Sequence, residues 1–187
     1  MPYMPANQLL ISPLLLHLVG AIVCVFLWRY IRWQTVVVAV VQLMFIGVSA
    51  IMLRQVLAQG IQVTQIGDWP APFGITLVAD ILAALLLLTT SIAGLAVFMY
   101  SHVALGVSRK RFGYFPLFLL LQMGVSGVCL TGDIFNLYVW FEVLLICCFA
   151  LIALGNRKSQ LEGALKYVTI NFFASGLLLT GIGVVYA

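Results

Sequence analysis

Apolar residues gather in six long blocks, and polar or charged residues gather in the short breaks between them. The blocks fall at about 8–28, 35–58, 74–100, 114–131, 134–154 and 165–186. A helix needs roughly 20 apolar residues to cross the hydrocarbon core of a bilayer, so each block predicts one membrane-spanning helix. The break QGIQVTQIGDWPAPF, residues 59–73, is the longest on its side. Its alternation of Ile61, Val63 and Ile66 with polar residues predicts a short hairpin on the membrane surface. WPAP then interrupts regular structure ahead of the third span. Trp69 suits a headgroup-level anchor, and Asp68 is the natural partner for Arg54.

Composition excludes a water-soluble domain. Of 187 residues, 64% are hydrophobic and only 7% charged, with a mean hydropathy of +1.19. Soluble domains run near 45–50% apolar and about 25% charged. The first apolar block reads as a retained membrane span rather than a signal peptide. Its leader MPYMPANQ carries no Lys or Arg, the apolar run is too long, and the positive charges follow it at Arg29 and Arg32. Cys24, Cys129, Cys147 and Cys148 lie in apolar runs without a C-x-x-C pair and read as small hydrophobes. GIG at 181–183 lacks the third glycine and the strand–helix context of a dinucleotide loop. No cofactor or metal is expected.

The charges set an orientation. Of the nine Lys and Arg residues, all but Arg54 fall in or beside the breaks after the first, third and fifth spans. These are Arg29, Arg32, Arg109, Lys110, Arg111, Arg157, Lys158 and Lys166. The positive-inside rule places those breaks in the cytoplasm and the N-terminus outside. It also accounts for the net charge of +4 without a nucleic-acid partner.

One carboxylate stands out. Glu142 lies in GDIFNLYVWFEVLL, near the middle of the fifth span. An ionised residue at that depth costs roughly 2.5–3.5 kcal/mol on insertion scales. Hydrocarbon disfavours the charged form, so such a carboxyl is driven to take up a proton or to find a cation. This is the chemistry of a proton relay. The alternative is a Glu that bonds neighbouring backbone and only locks packing. Tyr138 lies one turn away on the same face, and no Lys, Arg or His lies within a turn. The partner of Glu142 therefore comes from another helix or from water. Asp133, after Gly132, is placed to cap the fifth span. Asp80, expected about two turns into the third span, divides between relay and interface solvation. Lys166 is expected to open the sixth span and to snorkel. His17 and His102 are single and unsupported. Gln122, Ser126 and Thr131 give the fourth span a sparse polar content that lines a hydrated path or joins helices.

TGDIFNLYVWFE followed by GALKY, within residues 119–172, resembles the D subunit of the Mrp-type multisubunit Na+/H+ antiporters. Those proteins belong to the wider family of proton-conducting membrane subunits of respiratory complex I. The upstream block GDWPAPFGITLVADILAALLLLTTSI also resembles it. The likeness is strongest over about 67–187, and residues 1–66 match in hydropathy more than in motif. The resemblance implies a mid-membrane Glu at Glu142 in a proton path, with Tyr138, Asp133, Asp80 and Lys166 as possible support. In the family the usual partner is a Lys on the seventh helix, and Lys166 is not that residue. Family members have about fourteen helices built around two inverted five-helix repeats. The resemblance thus implies an all-α polytopic membrane protein with six transmembrane helices, the N-terminal part of that larger fold. Residues 1–113 would be a leading three-helix segment, and 114–187 the first three helices of the antiporter-like repeat.

Three functions are open on the sequence alone. The first is a subunit of a multisubunit Na+/proton antiporter in a bacterial inner membrane, with other membrane subunits, protons, Na+ or another monovalent cation, and the lipid bilayer as partners. The second is a proton-pumping subunit of an NADH:quinone oxidoreductase or hydrogenase. The third is a non-transporting scaffold. No haem or iron–sulfur ligand pattern is present, so the chain is not itself a redox catalyst.

Overall fold

The computed structural model describes residues 8–66, 74–155 and 157–186. Seven helices and a two-stranded ribbon follow in the order α1 (Gln8–Phe26), α2 (Ile31–Gln59), β1 (Gln62–Gln65), β2 (Thr76–Ala79), α3 (Ile81–Ala104), α4 (Val107–Arg111), α5 (Tyr114–Leu130), α6 (Ile134–Ala153) and α7 (Lys158–Tyr186). Five of them, α1, α2, α3, α6 and α7, are long and apolar enough to cross a membrane, and α5, of 17 residues, is the shorter sixth. The all-α polytopic architecture is as the apolar blocks predict.

The four helices α1, α2, α3 and α5 share a core. One part gathers Leu14, Phe45, Met52, Leu87 and Leu130, and the other gathers Cys24, Val38, Phe98, Phe115 and Leu119. Outward-facing residues such as Val19, Leu43, Leu82 and Met99 remain exposed, as expected where lipid is the solvent. The α1–α2 turn is closed by Gln34. Its Nε2 donates to the carbonyls of Cys24, near the end of α1, and Leu27, in the turn, each at 3.0 Å. Trp28 in that turn lies against Gly113, which enters α5 with φ of 96°, a conformation that favours glycine.

The breaks differ from expectation in three places. The alternating stretch around Val63 does form a strand, but its antiparallel partner is β2, in register Val63↔Val78. β2 occupies the predicted start of the third span, because Thr76 and Val78 suit a pleated edge better than a first helical turn. Helix α3 therefore begins at Ile81, and Asp80 is its N-cap rather than a residue two turns inside it. The sixth span begins at Lys158, so Lys166 lies well within α7 instead of opening it. Asp68 and Trp69 lie outside the described residues.

The ribbon ties the sequence TGD to the rest of the bundle. Leu77 bridges Thr131, and the N–H of Gly132 donates to the Thr76 carbonyl at 2.9 Å. A Cβ on Gly132 would come within 2.6 Å of Val78, so the backbones approach this closely only with glycine there. Downstream, α5 and α6 pack through small residues. Gly124 lies against the Leu144 backbone, and Gly127 lies against the Trp140 ring.

Candidate functional site

Glu142 is the ninth residue of α6, close to its middle. It is half-buried, and its Oε1 is shielded from solvent without a hydrogen-bond partner among the described residues. Glu142 lines a cavity of about 280 Å³ between α6 and α7. From α6 the lining includes Leu145, Ile146 and Phe149, the residues three, four and seven positions along the same helical face. From α7 come Tyr167, Asn171 and Ser175, with Val168 and Phe172 between them.

The α7 side carries the polarity. Tyr167, Asn171 and Ser175 recur every four residues and form one stripe on an otherwise apolar helix. Asn171 Nδ2 donates to the Tyr167 carbonyl at 2.8 Å, which fixes the amide on that face and leaves its oxygen as an acceptor. The arrangement supplies a carboxyl, the Asn171 amide and the Ser175 hydroxyl along one small, mostly apolar cavity, while the Tyr167 hydroxyl is paired with the Cys148 thiol. Chemically, such a cavity can hold a protonated carboxyl, or a carboxylate solvated by a few waters. Among the described residues no cluster of His, Cys, Asp and Glu fit to hold a metal is present. The four cysteines are free.

The other candidates read from the sequence do not enter this cavity. Asp133 is the N-cap of α6, and its Oδ1 accepts from the Asn136 N–H at 2.6 Å. Asp80 does the same for α3, accepting from the Ala83 N–H at 2.7 Å. Lys166 is exposed and pairs with Glu162 one turn earlier at 2.9 Å. Tyr138 stays on α6, tilted against Phe135 with ring centroids 6.4 Å apart. Sequence reasoning missed Tyr167, Asn171 and Ser175. The four-residue spacing of polar groups in the sixth apolar block was the available signal.

Comparison with known proteins agrees with this frame. Residues 131–187, which contain α6, Glu142 and α7, match the family described as NADH:quinone oxidoreductase/Mrp antiporter, TM. The chain is 41% identical over 181 residues to the D subunit of the Na(+)/H(+) antiporter of Bacillus subtilis (strain 168). That alignment covers 97% of this chain and 37% of the relative. The D subunit of a probable K(+)/H(+) antiporter of Rhizobium meliloti (strain 1021) is 35% identical, with 96% of this chain and 34% of that protein covered. The likeness thus reaches into residues 1–66, where motif alone is thin. Among solved structures, the Mrp complex from Dietzia sp. DQ12-45-1b contains a chain that superposes with a TM-score of 0.87 at 26% identity, covering 96% of this chain and 34% of that one. The membrane-bound sulfane sulfur reductase, an archaeal respiratory membrane complex, contains another at a TM-score of 0.88 and 27% identity, covering 96% and 37%. The chain spans little more than a third of the length of these relatives. Residues 131–187, with the α6–α7 pair and the TGDIFNLYVWFE motif, match the NADH:quinone oxidoreductase/Mrp antiporter transmembrane family, and the chain as a whole is similar to the D subunits of Na(+)/H(+) antiporters.

Proposed function

We propose that the chain is part of the D subunit of a multisubunit monovalent cation/proton antiporter, and that Glu142 is its proton-binding group. The observation that carries this reading is the unpartnered Glu142 Oε1 in a small cavity at mid-helix depth, faced by the Tyr167, Asn171 and Ser175 stripe. A group that must bind and release a proton needs a site where neither charge state is locked by a fixed partner. Asp133 and Asp80 act as helix caps, and Lys166 as a surface ion-pair residue. Other membrane subunits complete the antiporter, and Na+ or another monovalent cation is exchanged for protons. The basic breaks, including α4 with Arg109, Lys110 and Arg111, face the cytoplasm of a bacterial cell. Residues 1–113 serve as a leading segment and 114–187 as the start of the antiporter-like repeat. That division follows the repeat and not the packing, since α5 shares its core with α1, α2 and α3.

The test is antiport in membrane vesicles carrying the complete complex. Glu142→Gln keeps the size and removes the proton-binding group. Loss of antiport with normal assembly supports the proposal, and full activity in the variant refutes it. The likeness to a chain of the sulfane sulfur reductase favours one second reading, a proton-conducting subunit of a redox-driven pump. Co-purification with flavin and iron–sulfur subunits would select that reading. A complex free of such centres would select the antiporter.

A further inference from the structure

Gln42 of α2 is fully buried, yet neither its Oε1 nor its Nε2 has a hydrogen-bond partner among the described residues. Opposite it stands Gly94 of α3. A Cβ at that position would lie 3.0 Å from Gln42 Oε1 and would collide with Nε2 of Gln122. The two amides therefore meet over a stretch of α3 that has no side chain. Gln122 is the central residue of α5, Tyr114–Leu130, so the meeting point lies near the middle of the membrane.

The neighbouring polar groups on these helices are already engaged locally. Ser49 Oγ donates to the Phe45 carbonyl, Ser91 Oγ to the Leu88 carbonyl and Ser126 Oγ to the Gln122 carbonyl. No hydroxyl hydrogen among these three is left for Gln42. At a matching level on α1, His17 presents a second orphan. Its Nδ1 is hydrogen-bonded to the Pro13 carbonyl at 2.6 Å, its ring stands edge-on to Phe45, and its Nε2 is buried without a partner among the described residues. Gly20, one turn further on, packs on Val41 and Leu119, which aligns this part of α1 with Gln42 and Gln122. Unpaired amides and imidazole nitrogens at full burial are rare, because nothing replaces the water they lose.

We propose that the junction of α2, α3 and α5 is an internal water-binding site, with water held between the Gln42 and Gln122 amides over Gly94. Each amide offers two N–H donors and one oxygen acceptor, and a buried water typically makes about three hydrogen bonds. The glycine lets the Gln122 amide reach across α3 to face Gln42. The site is separate from the Glu142 cavity, which opens on the far side of α6 toward α7. It does not depend on what Glu142 does. Its role is to join α2 and α5 across α3 at mid-membrane depth through a shared polar contact.

The test is a structure of the full-length protein in its native complex, at a resolution that resolves ordered water, for the wild type and for Gln42→Leu. The expected result is a water peak within hydrogen-bond distance of both amides in the wild type, and its loss in the variant. A direct Gln42–Gln122 hydrogen bond without a water peak overturns the proposal. So does a side chain from another segment or subunit paired with Gln42, or a peak that survives Gln42→Leu. If the variant does not assemble, the wild-type map alone decides.

Discussion

Asp133 offers a sharp separation of structure from proton chemistry. Its Oδ1 accepts from the Asn136 N–H at 2.6 Å, and its backbone is extended, with φ of −138° and ψ of 152°, as an N-cap requires. Asparagine caps helices about as well as aspartate, whereas alanine loses the bond at a cost of about 0.5–2 kcal/mol. The figure belongs near the middle of that range. The bond is short and half-buried, but the residue is also held by the Gly132–Thr76 backbone contact, which alanine leaves intact. A loss of about 1 kcal/mol shifts a melting midpoint by roughly 2–4 °C for a cooperative unit of about 150–250 residues and by less for a larger one. Asp133→Asn is therefore expected to keep both the midpoint and antiport, and Asp133→Ala to lower the midpoint by a few degrees while keeping antiport in proportion to assembled complex. The assays are thermal unfolding of the detergent-solubilised complex and antiport in vesicles normalised to subunit content. If Asp133→Asn assembled normally and lost antiport as Glu142→Gln is expected to, the carboxylate would be a proton carrier and the capping argument would be wrong.

Further outcomes follow from other contacts. Gly127→Leu drives a side chain into the Trp140 ring and is expected to destabilise the α5–α6 pair by about 1–3 kcal/mol, seen as reduced assembly, whereas Gly163→Ala meets no atom within 4 Å and is expected to be tolerated. Asn171→Leu keeps the volume of the Glu142 cavity but removes its amide, and is expected to slow antiport severalfold while the variant chain stays in the complex. Unchanged rates would remove the α7 stripe from the proton path. Lys166→Ala breaks only an exposed one-turn pair with Glu162, so stability should change by no more than about 0.5 kcal/mol in the same melting assay.

Most of the helical frame was legible because bilayer thickness imposes a length that runs of Leu, Val and Ile either meet or miss. The six apolar blocks correspond to α1, α2, α3, α5, α6 and α7. What misled was local. TLVAD reads as the opening of a long apolar helix, yet Thr76–Ala79 pair with Gln62–Gln65, an attraction between segments that no window of hydropathy contains. That displacement moved Asp80 from the interior of a span to its cap. Glu142 was legible because a carboxylate in an apolar run is conspicuous on its own. Its α7 neighbours were not, since Tyr167, Asn171 and Ser175 become meaningful only once α7 is known to present that face to α6. Gln42 was hidden for the same reason. A single amide in a long helix is ordinary until Gly94 and Gln122 are placed opposite it.

Glu142 lies outside the four-helix core, on a helix pair whose outer faces no described residue covers. Helices α1, α2, α3 and α5 bury continuous faces against one another, including Leu10, Leu14 and Cys24 on α1 and Val38, Phe45 and Met52 on α2. In contrast α6 buries Asn136 and Cys147, and α7 buries Ala164 and Ile182. Phe172, Phe173, Leu177 and Val185 of α7 are exposed, and so are Phe135 and Ile146 of α6. A proton-binding group placed inside the four-helix core would be held by close packing, and any change in its partners would strain that packing. The faces of α6 and α7 that no described residue covers are then the side from which a cationic partner for Glu142 would approach. Cross-linking a cysteine at Phe172 to elements beyond residue 186 or on other subunits of the complete complex would identify that neighbour. Phe172 lines the Glu142 cavity, so capture of a lysine-bearing helix there would join the carboxyl to its partner, and capture of lipid alone would leave the carboxyl to exchange protons with water.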